Sequence, residues 1–452
     1  MSQQSQPNVK ARLTSGPVGM GLLGLTLPMV IGISASILAS IIETWFLGRV
    51  GTGELAAFSF TFPVTGALTS LSFGVSIGLS SVLARTVGEG DQGQIKRLAT
   101  HGIYLATVIM ITVGIVGYLT IDPLFMLMGA SAKTLDLIRG YMQVWYVGLV
   151  FIAGPYVGSN ALRATGDARI SGTIMVVGSI LNVLLDPVFI FGWWLIEPMG
   201  LRGAAFALVF SRLALFVVTI HVLHNRVHLL DTSIPRIHLV WQSWKQIMVV
   251  SVPATATQLI SPVSTAIIIS LLASYGDEAV AGFGIAARIE GLFVIPLFAL
   301  SASIGPYTGQ NWGARQFRRA NSAMNISFLF SLFWGCVVAL LLTQLAPALT
   351  GLFDDDRAVT DIADTYLYMV PVSYGAWGVL MMSSAIFNAL GKPVRSTIMS
   401  VTRMFVVYVP LAVALEILYG YKGIFMAACV SNVLMGITAY IWNRRSWRPD
   451  ID

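Results

Sequence analysis

The chain has 452 residues, of which 56% are hydrophobic and only 11% are charged, and its mean hydropathy is +0.78. Soluble proteins carry about 25% charged residues, so this composition excludes an ordinary soluble enzyme or binding module and describes a polytopic membrane protein. The net charge of +6 is dispersed through the turns, which argues for membrane topology and against nucleic acid as a partner.

The polar start, "MSQQSQPNVKARLTSG", lacks the apolar core and cleavage site of a signal peptide and reads as a tail over 1–16. A helix needs roughly 20 apolar residues to cross the hydrocarbon. The pattern predicts twelve such helices, near 17–46, 53–84, 98–120, 137–160, 168–193 and 202–225, then 243–273, 278–310, 321–350, 360–389, 394–418 and 423–443. A polar linker over 226–242 divides an N-terminal lobe, 17–225, from a C-terminal lobe, 243–443, and a second tail covers 444–452. Of the 27 Lys and Arg residues, 18 fall in the tails and even-numbered loops, which places both termini in the cytoplasm. Cys336 and Cys429 each lie inside an apolar run and do not suggest a disulfide.

The two lobes repeat in register. Adding 225 takes Pro28 to Pro253, Gly51 to Gly276, Ala56 to Ala281, Phe58 to Phe283, Gly88 to Gly313 and Gly166 to Gly391. Six helices per copy make both copies insert the same way up, a parallel repeat about an axis along the membrane normal. The expected fold is therefore an all-α integral membrane protein of twelve helices in two pseudo-symmetric six-helix bundles.

Within this apolar chain, the stretch "SILASIIETWFLGRVG" places Glu43 where no charge precedes it from Pro17 to Ile42. A carboxylate there costs a few kcal/mol even on the mildest scale, and intramembrane acids are functional by default. Asp186 lies near the outer end of the fifth helix, with Asn182 one turn before it on the same face. Pro187 has no N–H, so the Val183 carbonyl loses its helical partner. Two carboxylates, an amide oxygen and a free carbonyl form an oxygen-rich cluster. Sodium takes oxygen ligands, and a proton is held by carboxylates whose affinity for it rises in low dielectric. Pro28 removes a backbone hydrogen bond from the first helix and marks a bending point.

The phrases "ETWFLGRVGTGELAAFSF", "ALRATGDARISG", "ILNVLLDPVFIFG" and "GQNWGARQFRRA" resemble the multidrug and toxic compound extrusion (MATE) family, nearest its DinF-like branch. The resemblance runs from about residue 17 to 443, and its most specific part is Asn182–Asp186–Pro187. It implies a bacterial-type inner membrane protein, functional as a monomer, that exports small organic and often cationic compounds against a proton or sodium gradient, with no cofactor. It implies Glu43, Asp186, Asn182 and Asn160 as ion-coupling residues, with sodium, if used, held at Glu43, Asp186 and Asn182. The family usually carries Asp at the position of Glu43; a longer, more mobile arm favours protons here.

The second half carries Ile268 and Leu411 at the repeat positions of Glu43 and Asp186, which confines coupling to the first half. It holds instead Arg288 and Glu290, which cannot pair along their own helix, and Arg403; Gln258, Arg288 and Glu290 are substrate-cavity candidates. "GVSIG", residues 74 to 78, matches a hydrolase elbow but lies in an apolar helix with no strand before it, and reads as small-residue packing. His221, His224 and His228 read as an interfacial patch rather than a metal site, and "FDDDR" at 353 to 357 as an outer loop. A lipid-linked saccharide flippase is the alternative transporter, although only Arg212, Arg288 and Arg403 are available for a pyrophosphate. A membrane enzyme would need a catalytic constellation that the sequence does not present.

Overall fold

A computed structural model describes residues 9–194, 196–231 and 236–446. The outer parts of both expected tails, 1–8 and 447–452, and linker residues 232–235 lie outside the described residues. Ten helices are each long and apolar enough to cross a bilayer, and two bent pairs complete twelve. Span 1 is Val18–Val50, span 2 Thr52–Glu89 and span 3 Gln92–Leu119. Span 4 joins Ala132–Val147 to Leu149–Ala164 with a 49° bend; span 5 is Ala168–Ile190 and span 6 Gly200–Arg226. Span 7 is Ile237–Tyr275, and span 8 joins Asp277–Phe293 to Ile295–Gly313 with a 51° bend. Spans 9 to 12 are Phe317–Thr350, Arg357–Ala389, Pro393–Tyr419 and Tyr421–Ser446.

The helices stop where the chain supplies turn chemistry. Span 2 ends at Gly90 in the left-handed region (φ 84°), and the Asp91 carboxylate then caps span 3 by accepting from Gln94 N at 3.0 Å. Span 4 ends at Gly166 (φ 91°), and Asp167 caps span 5 through Ile170 N. The repeat reproduces both ends: Arg315 (φ 57°) and Gly391 (φ 72°) stand 225 residues on. It also reproduces the irregularity of span 4, because the bend at Gly148 corresponds to the 3-10 turn Val370–Ser373 within span 10. Span 1 runs on as helix through Pro28, and the sharp breaks fall in spans 4 and 8 instead. Span 7 begins at Ile237, earlier than its apolar core, because Trp244 Nε1 donates to the His101 carbonyl and Ser243 bonds the His101 ring, tying this turn to span 3. Part of the expected linker is therefore helix.

Apolar side chains point outward as well as inward. On span 1, Leu23, Leu27, Ile31, Leu38, Ile41 and Trp45 are exposed at three-, four- and seven-residue spacing, a lipid-facing stripe. Interior packing divides by depth. One apolar cluster around Leu47, Phe58, Trp145 and Ile190 belongs wholly to the N-terminal lobe, and another around Leu272, Phe283, Tyr366 and Phe425 wholly to the C-terminal lobe. Nearer the face that carries both termini, the clusters are shared: Leu79 and Leu83 pack with Ile247 and Val250, and Leu22 and Leu25 with Ile304 and Tyr307. The lobes are joined at the terminal face and parted at the other.

That junction obeys the repeat. Gly88 lies so close to the Gln310 carbonyl, and Gly313 to the Arg85 carbonyl, that neither has room for a Cβ. These are the same contact seen from each half, since Arg85 and Gln310 are repeat partners, as are Gly88 and Gly313. Arg85 Nη1 donates to Ala389 O at 2.6 Å, and Gln310 Nε2 to Ala164 O at 2.7 Å, again a symmetric pair. Gly74 and Gly78 of "GVSIG" admit Thr255 and Ser251 of span 7, which is the small-residue packing expected of that motif. Residues 9–17 strap across this face. Val9 exchanges two bonds with Gln92, Arg12 pairs with Asp167 at 3.2 Å, and Leu13 N donates to Gln310 Oε1 at 3.0 Å. Arg319 then gathers the carbonyls of Ser15 and Gly16 and the Tyr307 hydroxyl.

Candidate functional site

Spans 1 and 5 carry the two acids, and small residues let these helices approach. A Cβ at Gly172 would lie 2.5 Å from the Pro28 carbonyl, Gly32 faces Met175, and Ser36 Oγ is 3.2 Å from Ser179 Oγ. The close approach sets Glu43 of span 1 within electrostatic reach of Asp186 of span 5, and both within reach of the buried Tyr141 of span 4. Asp186 is fully buried, with 0% exposure, and Asn182 Nδ2 donates to both its oxygens at 3.1 and 3.0 Å. Glu43 is half-buried and its Oε1 is shielded without a hydrogen-bond partner. Arg212 of span 6 acts on Glu43 from a distance, while its guanidinium lies over the ring of Tyr156, 5.4 Å from the centroid. No carboxylate at the site is held by a salt bridge among the described residues.

The amide of Asn182 decides what this cluster can hold. Its Oδ1 accepts from Ser211 Oγ at 3.2 Å, and the same hydroxyl lies 2.8 Å from Leu208 O. The present arrangement turns the Asn182 N–H bonds toward an ionised Asp186. If the hydroxyl proton goes to Leu208 O, Ser211 Oγ becomes an acceptor, and the amide can turn its oxygen toward Asp186 instead. That second arrangement suits a protonated Asp186 or a bound cation; the first suits neither.

Beyond the pair, a cavity of about 740 Å³ opens at the end of the N-terminal lobe away from the terminal face, lined by Arg49, Glu54, Asp136, Ile190, Leu201 and Arg202 among others. Ile190 is one turn past Asp186, so water and mixed charge approach the carboxylates to within a layer of Leu47, Ile190 and Leu201. Asn160 does not join the pair. It sits four residues from the end of span 4, whereas Asp186 sits four residues from the opposite-face end of span 5. Its Nδ2 donates to Tyr156 O and its Oδ1 accepts from Arg163 Nη2 at 2.6 Å, so its polar groups are spent on a buried arginine.

In the C-terminal lobe, Glu290 and Arg288 point in opposite directions. Glu290 accepts from the Tyr366 hydroxyl at 2.5 Å, inside the lobe, with Arg403 in electrostatic reach and itself bonded to Asn432 Oδ1 at 3.2 Å. Arg288 is exposed. Gln258 is half-buried, three residues past Thr255, which packs on Gly74 at the lobe junction. Tyr141 and Ser211 were not evident from hydropathy, because neither interrupts its helix with charge. The offset of 225 offers one signal, since it pairs Tyr141 with Tyr366, and each tyrosine meets the carboxylate centre of its own lobe.

Twelve spans in two repeat-related lobes, parted at one face around buried intramembrane acids, define a membrane transporter. The MatE family model matches the chain twice, over residues 28–188 and 253–414, beginning each time at a proline of the repeat. The chain belongs to that family, the multidrug and toxic compound extrusion transporters. A FAD transporter of Shewanella oneidensis is 34% identical over 437 residues, covering 97% of each chain. The probable multidrug resistance protein YoeA of Bacillus subtilis is 23% identical, covering 98% of each. A crystallised mutant of the MATE transporter VcmN of Vibrio cholerae matches with a TM-score of 0.91 at 28% identity, over 95% of this chain and 97% of that one.

Proposed function

We propose that this protein is a secondary active exporter that exchanges protons for organic compounds by alternating access. The observation that carries this reading is the Glu43–Asp186 pair, a buried acid and a half-buried one with a shielded oxygen, in one lobe and without an ion-pair partner among the described residues. Such a pair resists double ionisation, because each negative charge opposes the other in low dielectric. It takes up a proton when exposed to one side and releases it when substrate or a new environment intervenes. The proton is favoured over sodium because the longer Glu43 arm leaves one shielded oxygen unfixed, whereas a dehydrated sodium ion needs closely fixed oxygens.

With both termini cytoplasmic in a bacterial inner membrane, the parted face is the outer one, and the cavity beyond Ile190 gives the coupling ion its outer approach. Pro28 and Pro187 are the proposed flexing points of spans 1 and 5. The protein is proposed to act as a monomer, without a cofactor or a nucleic-acid partner, in the DinF-like branch of its family. Organic cations are the substrates the family resemblance suggests; a flavin dinucleotide is the second reading, favoured by the name of the Shewanella relative.

The test is transport in sealed vesicles with proton and sodium gradients imposed separately. Proton-driven export should vanish in Asp186→Asn and in Glu43→Gln while the folded protein stays in the membrane, and Glu43→Asp should keep part of it. Export driven by sodium at constant pH, indifferent to a proton gradient, would overturn the choice of ion; wild-type export by Glu43→Gln would overturn the site.

A further inference from the structure

We infer that the cleft between the lobes recognises an organic anion, with Arg288 as the charge that reads its carboxylate or phosphate; this rests on the transport reading above. Arg288 is exposed and has no hydrogen-bond or ion-pair partner among the described residues. It lies eleven residues into span 8, about 16 Å along the helix at 1.5 Å per residue, which is mid-bilayer depth. An unpaired guanidinium facing lipid at that depth is disfavoured, and intramembrane charges face a bundle interior or a water-filled cavity.

The helix places it at the cleft. Ala279, Phe283, Ala286 and Ile289 bury the opposite face of this segment in the C-terminal lobe. Beyond its 51° bend, span 8 runs on to Tyr307, Gly309 and Gln310, which meet Gly21, Ala84 and Gly88 of the other lobe, so the span borders the junction between the lobes. Gly284 and Gly291, one turn either side of Arg288, have nothing within 4 Å of an added Cβ. Gln258 of span 7 is half-buried, three residues past Thr255, which packs on Gly74 at the lobe junction.

The charge balance of the walls then fixes the sign. Apart from Arg85, bonded to Ala389 O at the lobe junction, Lys245 in the first turns of span 7 and the charges at the span ends, spans 1, 2, 7 and 8 carry Glu43, Arg288 and Glu290. Glu43 is turned into the N-terminal lobe toward Asp186, and Glu290 into the C-terminal lobe toward Tyr366. What the cleft presents is one guanidinium, a planar fork suited to bidentate capture of a carboxylate or phosphate. Small and apolar walls accommodate the remainder of the molecule.

Three flavins that differ in phosphate content, riboflavin, FMN and FAD, separate charge from body. Binding to the purified full-length protein is read by quenching of flavin fluorescence, with ethidium as a cationic comparison. Wild type should bind FMN and FAD more tightly than riboflavin. Arg288→Gln should lose about tenfold or more of the FAD affinity without changing riboflavin, and Arg288→Lys should keep part of it. Gly284→Glu, which puts an acid into open space one turn away, should reproduce the loss and guards against misfolding of the first variant. Equal FAD binding by wild type and both neutralised forms, or no preference for either phosphate-bearing flavin over riboflavin, overturns the inference. Vesicle export separates the two readings: gradient-driven ethidium export with FAD binding blind to Arg288 sinks only the anion site, whereas phosphate-dependent binding without gradient-driven export of any compound sinks only the transport reading.

Discussion

One methylene separates Glu43 from the aspartate usual in the family at this position, and its neighbours show what that length does. Asp186 is pinned by two bonds from Asn182, while Glu43 leaves a shielded oxygen without a partner. In the proposed mechanism a fixed acid and a mobile one divide the work, with Asp186 setting the site and Glu43 moving between protonated and ionised poses. Ser211 is the proposed pivot of this arrangement, because its hydroxyl lies within hydrogen-bond reach of both Asn182 Oδ1 and Leu208 O. Ser211→Ala removes the pivot and leaves the Asn182 oxygen unpaired in a buried place, a change worth about 1–3 kcal/mol. Coupling should weaken by about tenfold or more in the ion concentration that drives half-maximal export, while detergent-solubilised protein remains monodisperse. An unchanged ion dependence in that variant would remove the amide from the mechanism.

Among the elements, the crossing of spans 2 and 8 is where the repeat becomes a device. Each copy reaches over the axis and caps the other's helix end, through Arg85 to Ala389 and Gln310 to Ala164. The strap of residues 9–17 adds bonds to both lobes at this same face. Opening the terminal face would break all of these together, so alternating access, as proposed, makes this crossing the gate. Gly88→Val introduces a side chain where the Gln310 backbone already lies, and overpacking of this kind costs about 1–3 kcal/mol. The cost falls only on the state in which spans 2 and 8 touch. A cysteine in place of Thr255, protected at the junction in the native protein, should therefore react several-fold faster with a reagent from the terminal face when Gly88→Val is also present. Equal rates would show that the crossing does not gate access.

For the molecule as a whole, the depth profile of packing describes its state. Shared apolar clusters hold the terminal face closed, and separate clusters stabilise each lobe as a body where they part. Lobes with their own cores can rock without unfolding, as the parallel repeat leads one to expect. The proposed sidedness is open to a direct test. With the termini cytoplasmic, single cysteines at Gly93 and Gln316 should be labelled by an impermeant reagent only in inside-out vesicles. Labelling of both in intact cells would invert the proposed orientation, and with it the direction assigned to the parted face.

Hydropathy and the 225-residue offset were enough to read twelve spans, two lobes and the two acids, because burying charge in hydrocarbon is costly and a carboxylate in an apolar run announces itself. The offset even marked Gly88 and Gly313, although not that they face each other's helices. Tertiary structure alone decided which polar groups meet. Asn160 reads from sequence as a partner of the acids, yet the fold spends it on Arg163; Ser211 and Tyr141 look ordinary, yet the packing of spans 4, 5 and 6 brings them to the carboxylates. Arg288 and Glu290 are two residues apart in the chain, yet one is exposed and the other is bonded to Tyr366 within its lobe. Such partnerships depend on how helices cross and rotate against one another, and that is set by the sum of many small contacts between distant segments rather than by the hydrophobicity of any one of them.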